Sequence, residues 1–188
     1  MFREDLKWLG IGSTVVVYQS DRFQIYYDLA RELIKLGGAY MCTCDNDEFR
    51  EKKLKKQPCP CRDLSVEENL RRFDDMLAGK YQEGEITMRV KTDIAHPDPA
   101  VRDFAAMRVL TSVKHPRRPE IFVYHLTNFS VPVADHPLCI PHVILGQNHI
   151  AYTHLQRHHH PYSACKQRPS YNYHTCSTPY SPISTSRL

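Results

Sequence analysis

Tyr40-Met41-Cys42-Thr43-Cys44 and Pro58-Cys59-Pro60-Cys61-Arg62 face each other across a short, highly charged interval that opens at Asp45. Two Cys-x-Cys pairs at this spacing can bring four thiolates onto one tetrahedral ion. Zn²⁺ is the usual occupant of a four-sulfur site. The interval holds Glu48-Phe49-Arg50-Glu51-Lys52-Lys53-Leu54-Lys55-Lys56, a helical reading with almost no apolar face. Such a segment cannot fold by burying itself, so a metal staple through Cys42, Cys44, Cys59 and Cys61 gives the cysteines a physical purpose. The alternative is four unrelated free cysteines. A structural metal holds a shape and by itself says nothing about chemistry.

Around this centre the chain has 188 residues, enough for one domain or a domain carrying an insertion. Hydrophobic residues make up 41% and charged residues 24%, a globular composition on the polar side. The formal net charge of +4 is compatible with an RNA partner without demanding one. No apolar run approaches the ~18 residues of a membrane span. The start, Met1-Phe2-Arg3-Glu4-Asp5, lacks the apolar stretch of a signal peptide, so a cytoplasmic protein with no membrane partner is expected. In that reducing setting paired cysteines favour metal over disulfide. The remaining cysteines, Cys139, Cys165 and Cys176, form no ligand pattern.

Ahead of the cysteines, Val15-Val16-Val17-Tyr18 predicts a short strand. Gly10-Ile11-Gly12 lacks the third glycine of a nucleotide loop and reads as a turn. Residues 20–38 predict a helix capped by Ser20 or Asp21, with Phe23, Tyr26, Tyr27, Ala30, Leu33 and Ile34 on one face and a stop at Gly37-Gly38. Behind the cysteines, Ser65-Val66-Glu67-Glu68 is a capping box opening a helix over 64–79, striped by Val66, Leu70, Phe73 and Leu77. Arg71 and Arg72 lie off that stripe, as a solvated face or an RNA contact. Ile86, Met88 and Val90 alternate with Thr87, Arg89 and Lys91, predicting a half-buried strand with a basic outer face. His96-Pro97-Asp98-Pro99-Ala100 is a rigid turn. Val101 to Met107 reads as helical or irregular, His115-Pro116-Arg117-Arg118-Pro119 as a basic loop, and Ile121 to Tyr124 as a strand. Residues 161–182 show no apolar period and read as poorly ordered. His158-His159-His160 reads as a solvated run, because consecutive residues cannot all face one ion on a helix.

In this order stand Tyr18-Gln19-Ser20-Asp21-Arg22, the two cysteine pairs, Ser65-Val66-Glu67-Glu68-Asn69-Leu70, Arg89-Val90-Lys91-Thr92-Asp93 and His96-Pro97-Asp98-Pro99-Ala100-Val101-Arg102-Asp103. His115-Pro116-Arg117 and Asn128-Phe129-Ser130-Val131 follow. The set resembles the archaeal-type glutamyl-tRNA synthetases, class I aminoacyl-tRNA synthetases, from about residue 5 to 136. The resemblance implies an α/β fold. A partial Rossmann-type catalytic domain would be split by an inserted α+β acceptor-stem-binding domain carrying the zinc knuckle. Residues 1–40 would end the first Rossmann half, 41–123 would be the insertion, and 124–188 the second half. It implies glutamate–tRNA ligase activity: ATP, with Mg²⁺, activates glutamate, which is then transferred to tRNA. The alternative is a non-catalytic, zinc-stapled module that binds the tRNA acceptor stem.

The resemblance also assigns residues. Ser184-Thr185-Ser186-Arg187 resembles the mobile ATP-handling loop of the family, with Arg187 in place of lysine. Thr127, Asn128, Asp135, His136, Leu145 and His149 fall at positions that serve the amino-acid substrate. His142 and His149 read equally well as polar edges of a buried turn. Leu145 stands where the family has an arginine for the substrate carboxylate, and leucine supplies neither charge nor forked donors. The family's His-x-Gly-His-type turn is absent from the 188 residues. The isolated chain is therefore expected not to activate glutamate. Arg62, Arg89, Lys91, Arg117 and Arg118 are the expected phosphate contacts in the insertion.

Overall fold

The computed structural model describes residues 2–12, 16–135, 142–146 and 171–175. Its centre is a four-stranded antiparallel sheet in the order β1-β2-β3-β4, formed by Ala39–Cys42, Thr87–Val90, Ala105–Val109 and Val123–His125. In β1 the side chains alternate between two clusters. Ala39 and Met41 join the main apolar core, whereas Tyr40 and Cys42 join a smaller one with Phe49, Cys59 and Cys61. Both faces of the strand are covered, so all four residues are buried despite the period-2 geometry.

Two helices cover the main face. The first, α2 (Phe23–Lys35, after α1 at Phe2–Trp8), buries Phe23, Tyr26, Ala30, Leu33 and Ile34, the apolar positions expected from the spacing. It stops at Gly37, where φ is +72° and the Gly38 N–H returns to the Leu33 carbonyl at 2.8 Å. The expected cap at Ser20 or Asp21 is not there. Gln19–Asp21 form a separate 3₁₀ turn, the N-cap position is Arg22 with no side-chain capping bond, and Asp21 pairs with Arg117 at 3.2 Å. Of the other helices, α3 spans Asn46–Leu54 and α4 spans Val66–Leu77. In α4 the Ser65 side chain accepts the Glu68 N–H at 3.2 Å, one half of the capping box. The Glu68 carboxylate turns instead to Arg71 and Arg72. Phe73 and Met76 are fully buried against α2 and the sheet, each contributing roughly 1.5–3 kcal/mol by burial.

Several expectations fail for tertiary reasons. Val16, Val17 and Tyr18 are exposed and form no strand, since no described strand lies beside them to complete their hydrogen bonds. Of Val101–Met107, the first half is the irregular turn that one of its two readings allowed, and the second half is β3, drawn into extended form by pairing with β2 and β4. The fourth strand starts at Val123 rather than Ile121. Gly10 has φ +75° and ends α1, in keeping with a turn at Gly10-Ile11-Gly12.

Downstream, α5 (Thr127–Asp135) packs on β3, and β5 (His142–Gly146) pairs in parallel with β6 (Tyr171–Thr175). The strand at β6 lies within the 161–182 stretch read as poorly ordered; Tyr171, Tyr173 and Thr175 alternate with Asn172 and His174, a five-residue signal lost among the Pro, Ser and Thr around it. The expected domain boundaries at 40/41 and 123/124 fall inside β1 and inside β4. No described helix is long and apolar enough to cross a membrane.

Candidate metal centre and its surroundings

The strand β1 delivers Cys42 at its last position, and the chain then turns through Thr43 and Cys44 into α3. Asp45 caps that helix by accepting the Asp47 N–H at 2.9 Å. Only Phe49 is buried from α3, in agreement with a segment that cannot fold on its own apolar face. Lys56, at φ 58°, ends the turn beyond it, and the chain returns through Cys59 and a 3₁₀ turn at Pro60–Asp63 that presents Cys61.

The four sulfurs meet. All lie within 4.8 Å of one another, Cys42 to Cys59 at 3.8 Å and Cys44 to Cys61 at 3.7 Å. Zn–S bonds of about 2.3 Å in a tetrahedron require sulfur–sulfur edges of about 3.8 Å. A disulfide needs about 2.05 Å, and the four cysteines are free. Donor type, number and spacing therefore fit a tetrahedral dication. Cys42, Cys59 and Cys61 are buried, under Phe49 and Tyr40. The Cys42 thiol hydrogen-bonds to Cys59 and holds the latter down at about 5, while that bond and burial push Cys42 up. Burial pushes Cys44 up to about 11. Cys42 and Cys44 are thus held as thiols by their surroundings, and a dication is what would let them ionise.

A buried polar network locks this knuckle to the sheet. Asp103, wholly buried and at φ 36°, accepts from Arg62 Nε at 2.9 Å, Tyr40 Oη at 3.0 Å and the Thr92 N–H at 3.0 Å. Arg62 Nη2 also donates to the Thr92 carbonyl at 2.8 Å. Arg62 follows Cys61 directly, and Tyr40 Oη lies 3.6 Å from Cys59 Sγ, so the network touches two of the sulfur-bearing positions. Sequence reasoning missed Asp103. Its signal was a charged pair, Arg102-Asp103, enclosed by Val101 and Phe104, all four of which are buried.

The other expected residues are scattered. Thr127 is exposed and Asn128 half-buried in the first turn of α5, whereas Asp135 ends the same helix, about 12 Å away at ~1.5 Å per residue. Leu145 lies on β5, in register with His174. His136, His149 and Ser184–Arg187 lie outside the described residues. Of the expected phosphate contacts, Arg62 is engaged with Asp103, and Arg118 with Glu120 at 2.6 Å. Arg117 stacks 4.2 Å over Tyr18. Arg89 is not on an outer face: it is 6% exposed, because Phe49 of α3 covers it.

Comparison with known proteins gives the family. The model for tRNA synthetases class I (E and Q), catalytic domain, matches residues 1–180. A glutamate–tRNA ligase of Methanocorpusculum labreanum is 68% identical over 188 residues, all of this chain and 34% of that protein. Those of Methanoculleus marisnigri and Pyrococcus horikoshii are 58% and 47% identical, over 84% and 86% of this chain and 28% and 29% of theirs. The chain thus spans about a third of the length of the relatives it matches. A crystal structure of a glutamate tRNA ligase from Elizabethkingia meningosepticum, in complex with its amino acid, shares the fold. The TM-score is 0.52 at 17% identity, over 91% of this chain and 38% of that one. By sequence match and by fold, the chain belongs to the class I tRNA synthetases for glutamate and glutamine, within their catalytic domain.

Proposed function

We propose that this chain works as part of a glutamate–tRNA ligase, in which ATP activates glutamate and the activated amino acid passes to tRNA. The observation that carries the reading is the 68% identity to a glutamate–tRNA ligase along the whole chain. The parallel pairing of β5 with β6 supports a return to a Rossmann-type sheet after about residue 124, with residues 41–123 as the inserted acceptor-stem-binding domain. Thr127 and Asn128 are accessible at the start of α5, which suits a substrate-side role. Asp135, His136, Leu145 and His149 complete the proposed amino-acid side. Ser184–Arg187 would serve ATP and its Mg²⁺. Leu145 cannot pair with a carboxylate, so this segment should bind glutamate weakly. The missing charge-assisted bond is worth roughly 1.5–3 kcal/mol, about ten- to a hundredfold in rate.

The test is a graft of residues 1–188 into the matching third of the full-length Methanocorpusculum relative. Glutamate-dependent exchange of pyrophosphate into ATP is measured with tRNA present. Reduced exchange that Leu145→Arg partly restores, with glutamine inert, is expected. Loss of all exchange in both grafts, with the parent active and both grafts folded, would sink the reading.

A second reading concerns the knuckle, and the sulfur geometry favours it. Cys42, Cys44, Cys59 and Cys61 would hold one structural Zn²⁺, which when bound supplies charge neutralisation and a rigid corner. The chain's own residues do the rest: β1 and the 60–63 turn present the sulfurs, and Arg62 and Asp103 fix the corner to the sheet. This zinc-stapled corner would shape the acceptor-stem surface whether or not the chain takes part in catalysis. Metal analysis should find about one zinc per chain, lost in Cys59→Ser plus Cys61→Ser. Unchanged zinc in that variant would remove the assignment.

A further inference from the structure

The charges of α3 divide by face. Lys52 and Lys55 each pair with the glutamate one turn before, Glu48 and Glu51. Arg50 and Lys53 have Asn46 and Phe49 at that spacing, and no described carboxylate forms an ion pair with either. Both line a cavity of about 460 Å³ between α3, β2 and the turn at Pro99-Ala100. Arg89 lines it too.

Arg89 is the telling member. Its place in β2 opposite Tyr40 puts it on the knuckle side of the sheet, where Phe49 lies 3.3 Å from the guanidinium carbon. It is 6% exposed, its Nε has no hydrogen-bond partner, and no described carboxylate pairs with it. A buried charge is retained only when something of opposite sign meets it, and one aromatic face is a partial substitute. The neighbouring Lys53 amine is held below its ordinary range by burial and then by the charge of Arg89, which outweigh the opposing pull of Asp103 and Asp98. Positive potential is therefore in excess. Arg102 adds to it, since its donors go to the backbone carbonyls of His96, Lys53 and Pro97 and not to a carboxylate. The thiolate cluster behind Phe49 draws on Arg89 from the far side, but it has Lys52 and Arg72 near its own sulfurs, and Asp98 and Asp103 act on Lys53 without forming an ion pair with it.

One carboxylate, Asp47, shares the cavity lining. Three cations against it leave two positive charges, the complement of a phosphomonoester, which carries about −1.5 to −2 at neutral pH. A diester within an RNA backbone carries one charge and offers two free oxygens. We propose that the cavity between α3 and β2 binds a terminal phosphate dianion, the 5′-phosphate of the RNA whose acceptor stem docks on this face. The source of the phosphate rests on the tRNA reading above; the phosphate site itself does not. Free inorganic phosphate offers the same chemistry.

The experiment uses the 188-residue chain with zinc in the buffer and two acceptor-stem hairpins identical except for a 5′-phosphate or a 5′-hydroxyl. Fluorescence anisotropy at fixed ionic strength should show the phosphorylated RNA binding about tenfold tighter. In Lys53→Gln, and separately in Arg50→Gln, that preference should fall to near unity with the hydroxyl RNA unchanged. Both side chains leave the core intact, so folding does not obscure the result. Equal affinity for the two hairpins overturns the 5′-phosphate assignment and leaves RNA binding standing. Failure of both hairpins to bind overturns the tRNA reading instead, and the cavity is then decided by inorganic phosphate. A saturable shift of the Arg89 Nε–H resonance, absent in Lys53→Gln, upholds a phosphate site; no saturable shift overturns it.

Discussion

Replacing Asp103 with alanine should be among the most damaging single changes in the described structure. The carboxylate is wholly buried and accepts from Arg62 Nε, Tyr40 Oη and the Thr92 N–H, all within 3.0 Å. Alanine leaves the Arg62 guanidinium, 24% exposed, with the Thr92 carbonyl as its remaining hydrogen-bond partner. It also strands a buried tyrosine hydroxyl and a buried backbone N–H. Breaking a buried ion pair from one side costs about 3–5 kcal/mol. Alanine at φ 36° adds about 1–2 kcal/mol of backbone strain. The expected loss is about 4–7 kcal/mol, a large part of the ~5–15 kcal/mol of a typical domain. Asp103→Asn tolerates the backbone and keeps one acceptor, so about 2–3 kcal/mol is expected. The assay is urea unfolding of the zinc-loaded chain followed by circular dichroism. A cycle with Arg62→Met separates the pair from the rest, and a coupling near 2 kcal/mol is expected. A loss under about 1 kcal/mol for Asp103→Ala, or an additive cycle, would refute the reasoning.

Further expectations concern metal, pH, capping and salt. Chelation of the metal should lower the midpoint of thermal unfolding and expose Cys42, Cys59 and Cys61 to a thiol reagent; reagent uptake unaltered by chelation would contradict a bound ion. His125 lies among Phe23 and Tyr26 with neither ring nitrogen hydrogen-bonded, and burial lowers it to about 4. The unfolded chain takes a proton at about 6.5 and the folded one resists, so stability should fall as pH drops from about 6.5 towards 4. His125→Phe should remove about 1–2 kcal/mol of that loss by pH 5, as read from unfolding midpoints across pH, after allowance for partial exposure. Ser65→Ala should cost about 1 kcal/mol by urea unfolding, against ~0.2 for Ser65→Gly. Acceptor-stem RNA should bind more weakly as salt rises, and Lys53→Gln should reduce the logarithmic salt slope by about one for the 5′-phosphorylated RNA.

Local features were legible in the chain and tertiary ones were not. Cys42, Cys44, Cys59 and Cys61 could be read together because their spacing implies a common ligand, and the structure brings their sulfurs within 4.8 Å. The apolar faces of α2 and α4 carry their own period, so Phe23, Tyr26, Leu33 and Phe73 were readable as core. Arg89 was not readable, since its alternation with Met88 and Val90 describes a sheet with one wet face. That face is covered by α3, a helix with a single buried apolar side chain. Ala105–Val109 failed similarly: two alanines and an arginine state no strand preference, and the partners on either side decide it. Thr127, Asn128 and Leu145 could be located by resemblance, but their chemistry depends on neighbours that no spacing rule within the chain specifies.

The alternation of β1 between two cores has a consequence for how the chain finds its register. A slip of one residue would turn Met41 towards the sulfurs and carry Cys42 into the apolar layer beneath α2 and α4. A thioether cannot replace a thiolate at a four-sulfur zinc site. With zinc bound, the ion tolerates one alignment of Ala39–Cys42 against Thr87–Val90 and rejects its neighbours. A metal held there would then act as a gauge of strand alignment as well as a staple, and a chain that pairs its sheet wrongly would be marked by its failure to hold the ion.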